Sequence, residues 1–150
     1  MSDLNPHQAS ALQMHNDARR AISAQTGHSR PDLAWDRGLE ASAQRWADHL
    51  AQIEGFDHSG TPDVGENLYV IFPANIATVM AATQGWLDEA QYYHGQPVDG
   101  DFAQYGHYTQ IIWPATTLVG IGAANTANGD RRIYVAQYSA AGNVAGASAY

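Results

Sequence analysis

Cysteine is absent from the 150-residue chain. Its absence excludes disulfide bonds, a thiolate nucleophile and a cysteine-ligated zinc ion. Basic residues are also few, because seven Lys and Arg stand against fifteen Asp and Glu, which gives a formal net charge of −8. A partner such as nucleic acid or an anionic membrane requires a clustered basic surface. The sequence therefore predicts neither of these partners.

Long apolar runs are missing as well. No stretch approaches the roughly 18 consecutive apolar residues that a membrane-spanning helix needs, so we expect no membrane span. Hydrophobic residues make up 45% of the chain and charged residues 15%, which is typical of an ordinary globular protein. A chain of this length is close to the commonest domain size. We therefore predict one domain that covers residues 1–150.

Three helices are indicated in the first part of the chain. Asn5-Pro6 is a typical helix start, and Gly27 is a suitable end for that helix. The second helix is predicted to start after Asp36 and to stop at Gly55, and a third to cover 75–92. The segments 55–68 and 93–106 are rich in Gly, Pro and Asp, which predicts irregular loops.

Strands are predicted in the last third of the chain, at 107–113, 118–124 and 132–138, with Asn128-Gly129 as the turn between the last two. The small residues of 140–150 are expected to be frayed. Helices followed by a run of strands indicate an α+β domain with an antiparallel sheet.

Several short segments share the motifs of one superfamily and follow one another in the same order. The strongest match is Gly106-His107-Tyr108-Thr109-Gln110-Ile111-Ile112-Trp113. The others are His15-Asn16-Asp17-Ala18-Arg19, His58-Ser59, Gly65-Glu66-Asn67-Leu68, Trp86-Leu87-Asp88-Glu89 and the closing segment 134–144. Together they resemble the CAP superfamily, which comprises cysteine-rich secretory, antigen 5 and pathogenesis-related group-one proteins.

The resemblance runs from about His7 to Val144, and it implies an α-β-α sandwich with a central antiparallel sheet. It also implies a secreted protein, although Met1 to Asn5 carry no sign of a secretory leader. The main departure from the family is the complete loss of cysteine. A monomer or a weak dimer is expected.

A metal site is implied by the same resemblance. His58, Glu66, Glu89 and His107 correspond to the central tetrad of the family. Two neutral imidazoles and two ionised carboxylates can coordinate a divalent metal such as zinc. Without an ion, the same groups can pair as imidazolium and carboxylate, and the sequence leaves both possibilities open.

No catalytic residue is predicted. Ser59 follows His58, but adjacent residues rarely face each other as nucleophile and base, and the chain has neither a G-x-S-x-G elbow nor an H-E-x-x-H pair. We expect Ser59 to brace its loop. Gly120-Ile121-Gly122 lacks the rest of a dinucleotide fingerprint and is interpreted as a strand in a crowded sheet.

Binding of a sterol or another small hydrophobic ligand is the first functional hypothesis, by resemblance to fungal members of the superfamily. Its candidate residues are Tyr92, Tyr93, Phe102 and Tyr105, which lie in one polar loop. These rings have an alternative role, which is to fix the loop to the sheet. Two other functions stay open: a hydrolase or protease acting through the tetrad with a metal, and a defence or virulence effector acting through protein contacts.

Overall fold

An α-β-α sandwich is the architecture of this protein. The structure, a computed structural model, describes residues 4–150. Helix α2 covers one face of the sheet, and helices α1, α3 and α4 form the layer on the other face. The elements are α1 Pro6–Thr26, β1 Ala34–Trp35, α2 Arg37–Ile53, β2 Gly65–Ile71, α3 Val79–Leu87, α4 Gly106–Ile112, β3 Leu118–Asn125 and β4 Arg132–Ser139. The predicted α+β class and sandwich are confirmed.

The first two helices begin at the predicted caps. Asn5 Oδ1 accepts a hydrogen bond from Gln8 N at 2.8 Å, and Gln8 Oε1 accepts one from Asn5 N at 3.1 Å, which completes a capping box. Gly27 ends α1 in the left-handed conformation, with φ 75°. Asp36 Oδ2 accepts from Leu39 N at 2.8 Å and so starts α2. Among the described residues, no helix is both long and apolar enough to cross a membrane.

The third helix is shorter than the predicted range 75–92. Two 3-10 helices, Ala74–Ile76 and Asp88–Tyr92, flank α3. Thr78 caps α3, because its hydroxyl accepts a hydrogen bond from Ala81 N at 3.0 Å. A single run of helical periodicity does not distinguish these three segments, since a 3-10 turn has nearly the same period.

Two assignments of local structure were wrong. The predicted strand 107–113 is helix α4, and its apolar pair Ile111 and Ile112 is fully buried. A short buried apolar run fits either a strand or a helix, and long-range contacts decide between them. In the opposite sense, 65–71 forms strand β2 although 55–68 was predicted to be irregular.

The sheet has the order β1-β3-β4-β2, and its three long strands are antiparallel, as predicted. The two-residue strand β1 joins β3 in parallel at one edge. Helix α2 lies very close to β3: a Cβ at Gly120 would lie 2.1 Å from Glu40 N, and one at Gly122 would lie 2.5 Å from Gln44 Cα. The two glycines therefore allow α2 and β3 to pack closely, which agrees with the prediction that they lie on a strand in a crowded sheet.

The C-terminal segment packs on the molecule, whereas the sequence predicted that it frays. Ala149 is fully buried, and Val98 N donates to Ala147 O at 2.9 Å. The ring of Tyr150 meets that of Tyr93 edge-on, with 4.8 Å between ring centroids. These long-range contacts hold small residues that have little intrinsic preference for an ordered conformation.

Candidate functional site

An open cavity of about 340 Å³ lies beside the N-terminus of α4. Three of the four predicted tetrad residues, His58, Glu66 and His107, line it, and Glu89 contacts His107 at its margin. The other lining residues are Asn67, Gly100, Asp101, Phe102, Ala103, Gly106 and Asn143.

Glu66 is the most heavily hydrogen-bonded carboxylate of the site. It stands near the start of β2, and its Oε1 accepts from His58 Nδ1 at 2.9 Å and from Ser59 N at 2.8 Å. Its Oε2 accepts from Ser59 Oγ at 2.6 Å and from Gln137 Nε2 at 2.8 Å. A carboxylate has about four lone-pair positions, so all of them are used within the protein.

The charges of this pair follow from these contacts. Burial is the largest influence on Glu66 and acts to raise its pKa, but hydrogen bonds from His58, Ser59 and Gln137 outweigh burial and lower the pKa to about 2. The hydrogen bond to Glu66 is the main cause that raises the pKa of His58 above its usual value. Glu66 is therefore a carboxylate at any physiological pH.

Glu89 and His107 form the second pair. Glu89 Oε2 accepts from His107 Nδ1 at 2.7 Å, and Glu89 Oε1 accepts from the backbone N–H groups of His107 at 3.0 Å and of Tyr108 at 3.2 Å. Glu89 thus orients the imidazole and also binds free N–H groups at the start of α4. The His107 ring stacks on Trp86, with 6.3 Å between centroids.

The four side chains therefore form two histidine–carboxylate pairs. In both histidines Nδ1 contacts a carboxylate, which leaves Nε2 as the ring nitrogen available to a ligand. Within residues 4–150, no group of three or more His, Asp and Glu side chains is arranged to hold a metal ion. At most, the site offers a metal two imidazole nitrogens that its carboxylates have oriented.

The four aromatic residues of the predicted ligand loop lie in different environments. Phe102 lines the cavity, and Tyr92 is 49% exposed on the surface. Tyr93 and Tyr105 are buried in the core, with their ring centroids 4.9 Å apart. Phe102 is the one of the four that the structure brings to the His/Glu cavity. Tyr93 and Tyr105 instead fix the loop to the core, which was the alternative role.

A second cavity, of about 280 Å³, adjoins the first. The two share His58, Glu66, Phe102 and Asn143 as lining residues, so these side chains stand between two halves of one longer cleft. The rest of the second half is lined by Ser59, Gly60, Thr61, Val64, Gly65, Gln110, Ala141 and Gly142. The cleft is thus longer than the tetrad alone.

Two residues of the site were missed from the sequence. Gln137 on β4 holds Glu66, and Asn67 on β2 lines the cavity. Gln137 is paired with Glu66 in the antiparallel register, which cannot be seen without knowing that β2 exists. Asn67 belongs to the matched segment 65–68, and that was the one signal that could have drawn attention to it.

Arg19 binds the C-terminal end of α4, the helix that carries His107. Its guanidinium is fully buried and donates to carbonyl oxygens in the last turn of α4, just after that helix, and in the segment between α1 and β1. The acceptors are Ile111 O at 2.9 Å, Trp113 O at 2.9 Å, Thr116 O at 2.8 Å and, from the Nε atom, Pro31 O at 2.8 Å. Burial lowers the pKa of Arg19 to about 10, so the group stays charged at neutral pH.

Comparison with known proteins identifies the family. A model of the cysteine-rich secretory protein family matches residues 12–138. The chain belongs to this family. It is 33% identical to human cysteine-rich secretory protein 2 over 91% of this chain and 57% of that protein. It is also 33% identical to pathogenesis-related protein 1B of Nicotiana tabacum, over 93% of this chain and 78% of that protein.

The chain thus spans little more than half the length of the human relative. Solved structures share the family fold: the crystal structure of NaASP2 with Zn²⁺ matches with a TM-score of 0.81 at 23% identity, over 96% of this chain and 84% of that one. Relatives also include a venom allergen 5 of Brachyponera chinensis and a secreted protein of Candida albicans. Their names describe secreted proteins, allergens and pathogenesis-related proteins rather than enzymes.

Proposed function

We propose that this family member is an extracellular protein that binds a small hydrophobic ligand, such as a sterol or another lipid, in the cleft beside α4. One observation carries the proposal. The cavity of about 340 Å³ joins an aromatic wall, Phe102, to two imidazoles that are held by their own carboxylates. Such a site combines apolar area for affinity with a few fixed polar groups for orientation.

The chemistry of the pairs favours binding over hydrolysis. Glu66 is a poor general base, because its pKa is about 2 and its lone pairs are all engaged. The Ser59 hydroxyl donates to Glu66 at 2.6 Å, and not to an imidazole that could remove its proton. We therefore infer no catalytic role for these residues.

A divalent metal such as zinc is part of the proposal. The ligands would be Nε2 of His58 and Nε2 of His107, and their donor chemistry fits, because a carboxylate on Nδ1 is the usual orienting contact of a metal-binding imidazole. The related NaASP2 was crystallised with Zn²⁺. A bound ion would supply a positive charge that attracts the polar end of a ligand. Two protein ligands imply modest affinity.

The names of the relatives, which include secretory, venom and secreted proteins, support an extracellular location. A role as a defence or virulence effector that acts through protein contacts is compatible with ligand binding in the cleft. No feature that we describe on the surface of residues 4–150 favours the effector role over ligand binding.

Saturable binding of radiolabelled cholesterol tests the proposal. We expect the parent protein to bind and the Phe102→Ala variant to bind at least about tenfold more weakly, since truncation removes the apolar wall of the cavity. Tyr92→Ala is the matched control, because Tyr92 belongs to the same part of the chain but is exposed and does not line the cavity. Equal loss in both variants would refute the cavity as the binding site, and no saturable binding by the parent would refute a sterol as the ligand.

A further inference from the structure

Asn67 carries a hydrogen-bond acceptor that the protein itself does not use. The residue is 1% exposed and lines the cavity. Its amide nitrogen donates to His107 O at 3.1 Å and to Tyr138 Oη at 3.2 Å. Its amide oxygen accepts no hydrogen bond from any residue in the range 4–150. The buried side-chain atoms without a partner in that range are Arg30 Nε and Gln137 Oε1, so Asn67 Oδ1 is not sealed in the core.

The orientation of this amide is determined by its neighbours. A carbonyl oxygen can only accept, so the group 3.1 Å from His107 O must be the NH₂ group of Asn67. The flipped amide would place two oxygens against each other and leave both unsatisfied. The oxygen is therefore the end of the Asn67 amide that is left for the cavity.

A chain of hydrogen bonds from His15 through Tyr138 to Asn67, here called the relay, requires the same orientation of the Asn67 amide. His15 Nδ1 lies 2.8 Å from Ala11 O and must donate to it, which leaves Nε2 of the neutral ring as an acceptor. Tyr138 Oη lies 2.8 Å from that Nε2, so its hydroxyl donates to His15 and accepts from Asn67. His15 and Tyr138 are fully buried, and burial lowers the pKa of His15 to about 4, which keeps the ring neutral.

We propose that Asn67 selects ligands by accepting a hydrogen bond from their polar end, with Tyr138 and His15 as positioning residues. The inference rests on the proposed function and adds a chemical class to it. The preferred ligand carries a free O–H or N–H group, as an unesterified sterol does. An ether or ester in the same place turns an oxygen towards Asn67 Oδ1 and leaves that acceptor desolvated without a partner.

Competition between two matched sterols tests the inference. Radiolabelled cholesterol is displaced from the parent protein by unlabelled cholesterol or by its 3-methyl ether. In the ether, a methyl group replaces the hydroxyl hydrogen that would be donated. We expect cholesterol to compete about tenfold better. Equal competition would overturn the role of Asn67 while the proposed function stands. If the parent binds no labelled sterol, the sterol part of the proposed function fails, and sterol selection by Asn67 fails with it.

Two variants assign the preference to residues. Asn67→Leu keeps a similar volume and should bind both sterols alike, whereas Asn125→Leu, the same change at an exposed site outside the cavity, should keep the parental preference. Tyr138→Phe should reduce the preference without abolishing it, because His107 O still holds the amide. An unchanged preference in a cooperatively melting Tyr138→Phe protein would remove Tyr138 from the account.

The direction of the relay has a readout that needs no ligand. Ring ¹⁵N chemical shifts of His15 report which nitrogen carries the proton. We expect a protonated Nδ1 and an unprotonated Nε2, and in Tyr138→Phe we expect the Nε2 resonance to shift because it loses its donor. A proton on Nε2 in the parent would reverse the relay and overturn the positioning of Asn67 by Tyr138 and His15, whatever the sterol result.

Discussion

At the scale of single residues, the site depends on how many hydrogen bonds each carboxylate accepts from the protein. Glu66 accepts four hydrogen bonds, and Glu89 accepts three. These bonds explain why two acidic side chains at a cavity act as supports for imidazoles and not as free acids or bases. The sequence supplied the four residue types, by resemblance, but not their division into pairs.

We predict that Glu66→Gln destabilises the protein by roughly 1–3 kcal/mol, because an amide cannot accept from all four donors and leaves at least one buried group unpaired. In the parent, the pKa of Glu66 is lowered to about 2 in the folded protein. Ionised Glu66 therefore contributes stability above the unfolded-state pKa, and that contribution is lost as the pH falls towards 2. Urea unfolding from pH 7 to pH 2 should therefore show a shallower acid-side decline in Glu66→Gln than in the parent.

Glu54→Gln is the control, since Glu54 is exposed and its ion pair with Arg131 has a distance of 3.5 Å. We expect its unfolding free energy to stay within about 0.5 kcal/mol of the parental value. If Glu66→Gln were equally mild at neutral pH and kept the full acid-side decline, the hydrogen bonds to Glu66 would not stabilise the site.

Zinc binding is the second prediction at this scale. Titration calorimetry at neutral pH should detect zinc binding to the parent and none to His58→Ala or His107→Ala, because each change removes one of the two proposed imidazole ligands. His49→Ala, which changes an exposed histidine outside the cavity whose ring lies tilted against that of Trp46, should bind like the parent. Parental affinity in both site variants would place the metal elsewhere.

At the scale of elements, helix α4 is fixed at both ends by side chains of opposite charge. Glu89 binds its first N–H groups, and the Arg19 guanidinium binds carbonyl oxygens at and beyond its last turn. This arrangement matches the direction of the helix dipole. It also explains why 106–112 is helical although its sequence reads equally well as a buried strand.

We predict that Arg19→Met costs at least about 3 kcal/mol of stability, because several buried carbonyl oxygens lose their donor together. Arg20→Met is the adjacent control: Arg20 pairs with Asp32 on the surface, where water screens the interaction, so we expect a much smaller loss of stability than for Arg19→Met. Denaturant unfolding compares the two. Similar losses in both variants would show that Arg19 does not fix α4.

Capping chemistry made the starts of the first two helices and the end of α1 predictable, since Asn5, Gly27 and Asp36 form hydrogen bonds with residues only three or four positions away in the chain. Strand β2 was missed because what makes 65–71 a strand is its pairing with β4, some 70 residues away. For the same reason the burial of Tyr93 and Tyr105, and of Ala149 in the C-terminal segment, could not be read from local composition. The tetrad came from the resemblance, and Asn67 and Gln137 needed the sheet register.

At the scale of the whole molecule, the sheet, one helical layer and the loops between them contribute side chains to one cleft. The sheet supplies Glu66 and Asn67, the helical layer supplies His107, and loops supply His58 and Phe102. The chain carries a net charge of −8 and has few basic residues, which favours neutral or cationic ligands over strongly anionic ones.

Absence of general peptidase activity is the prediction that belongs to the whole molecule, because no nucleophile–base pair is found at the site among residues 4–150. Purified protein incubated with an unstructured peptide should leave it intact, with and without added zinc. Cleavage that is lost in Glu66→Gln and retained in Glu54→Gln would contradict this prediction and favour the hydrolase.

Native mass spectrometry tests the central claim, ligand capture by the cleft, most directly. The protein is exposed to a mixed lipid extract and then purified without detergent, in parallel with Phe102→Ala and Tyr92→Ala. We predict a one-to-one lipid adduct on the parent and on Tyr92→Ala, and its loss from Phe102→Ala, which removes the cavity wall. A parent protein that carries no lipid, or an adduct that Phe102→Ala retains in full, would contradict it.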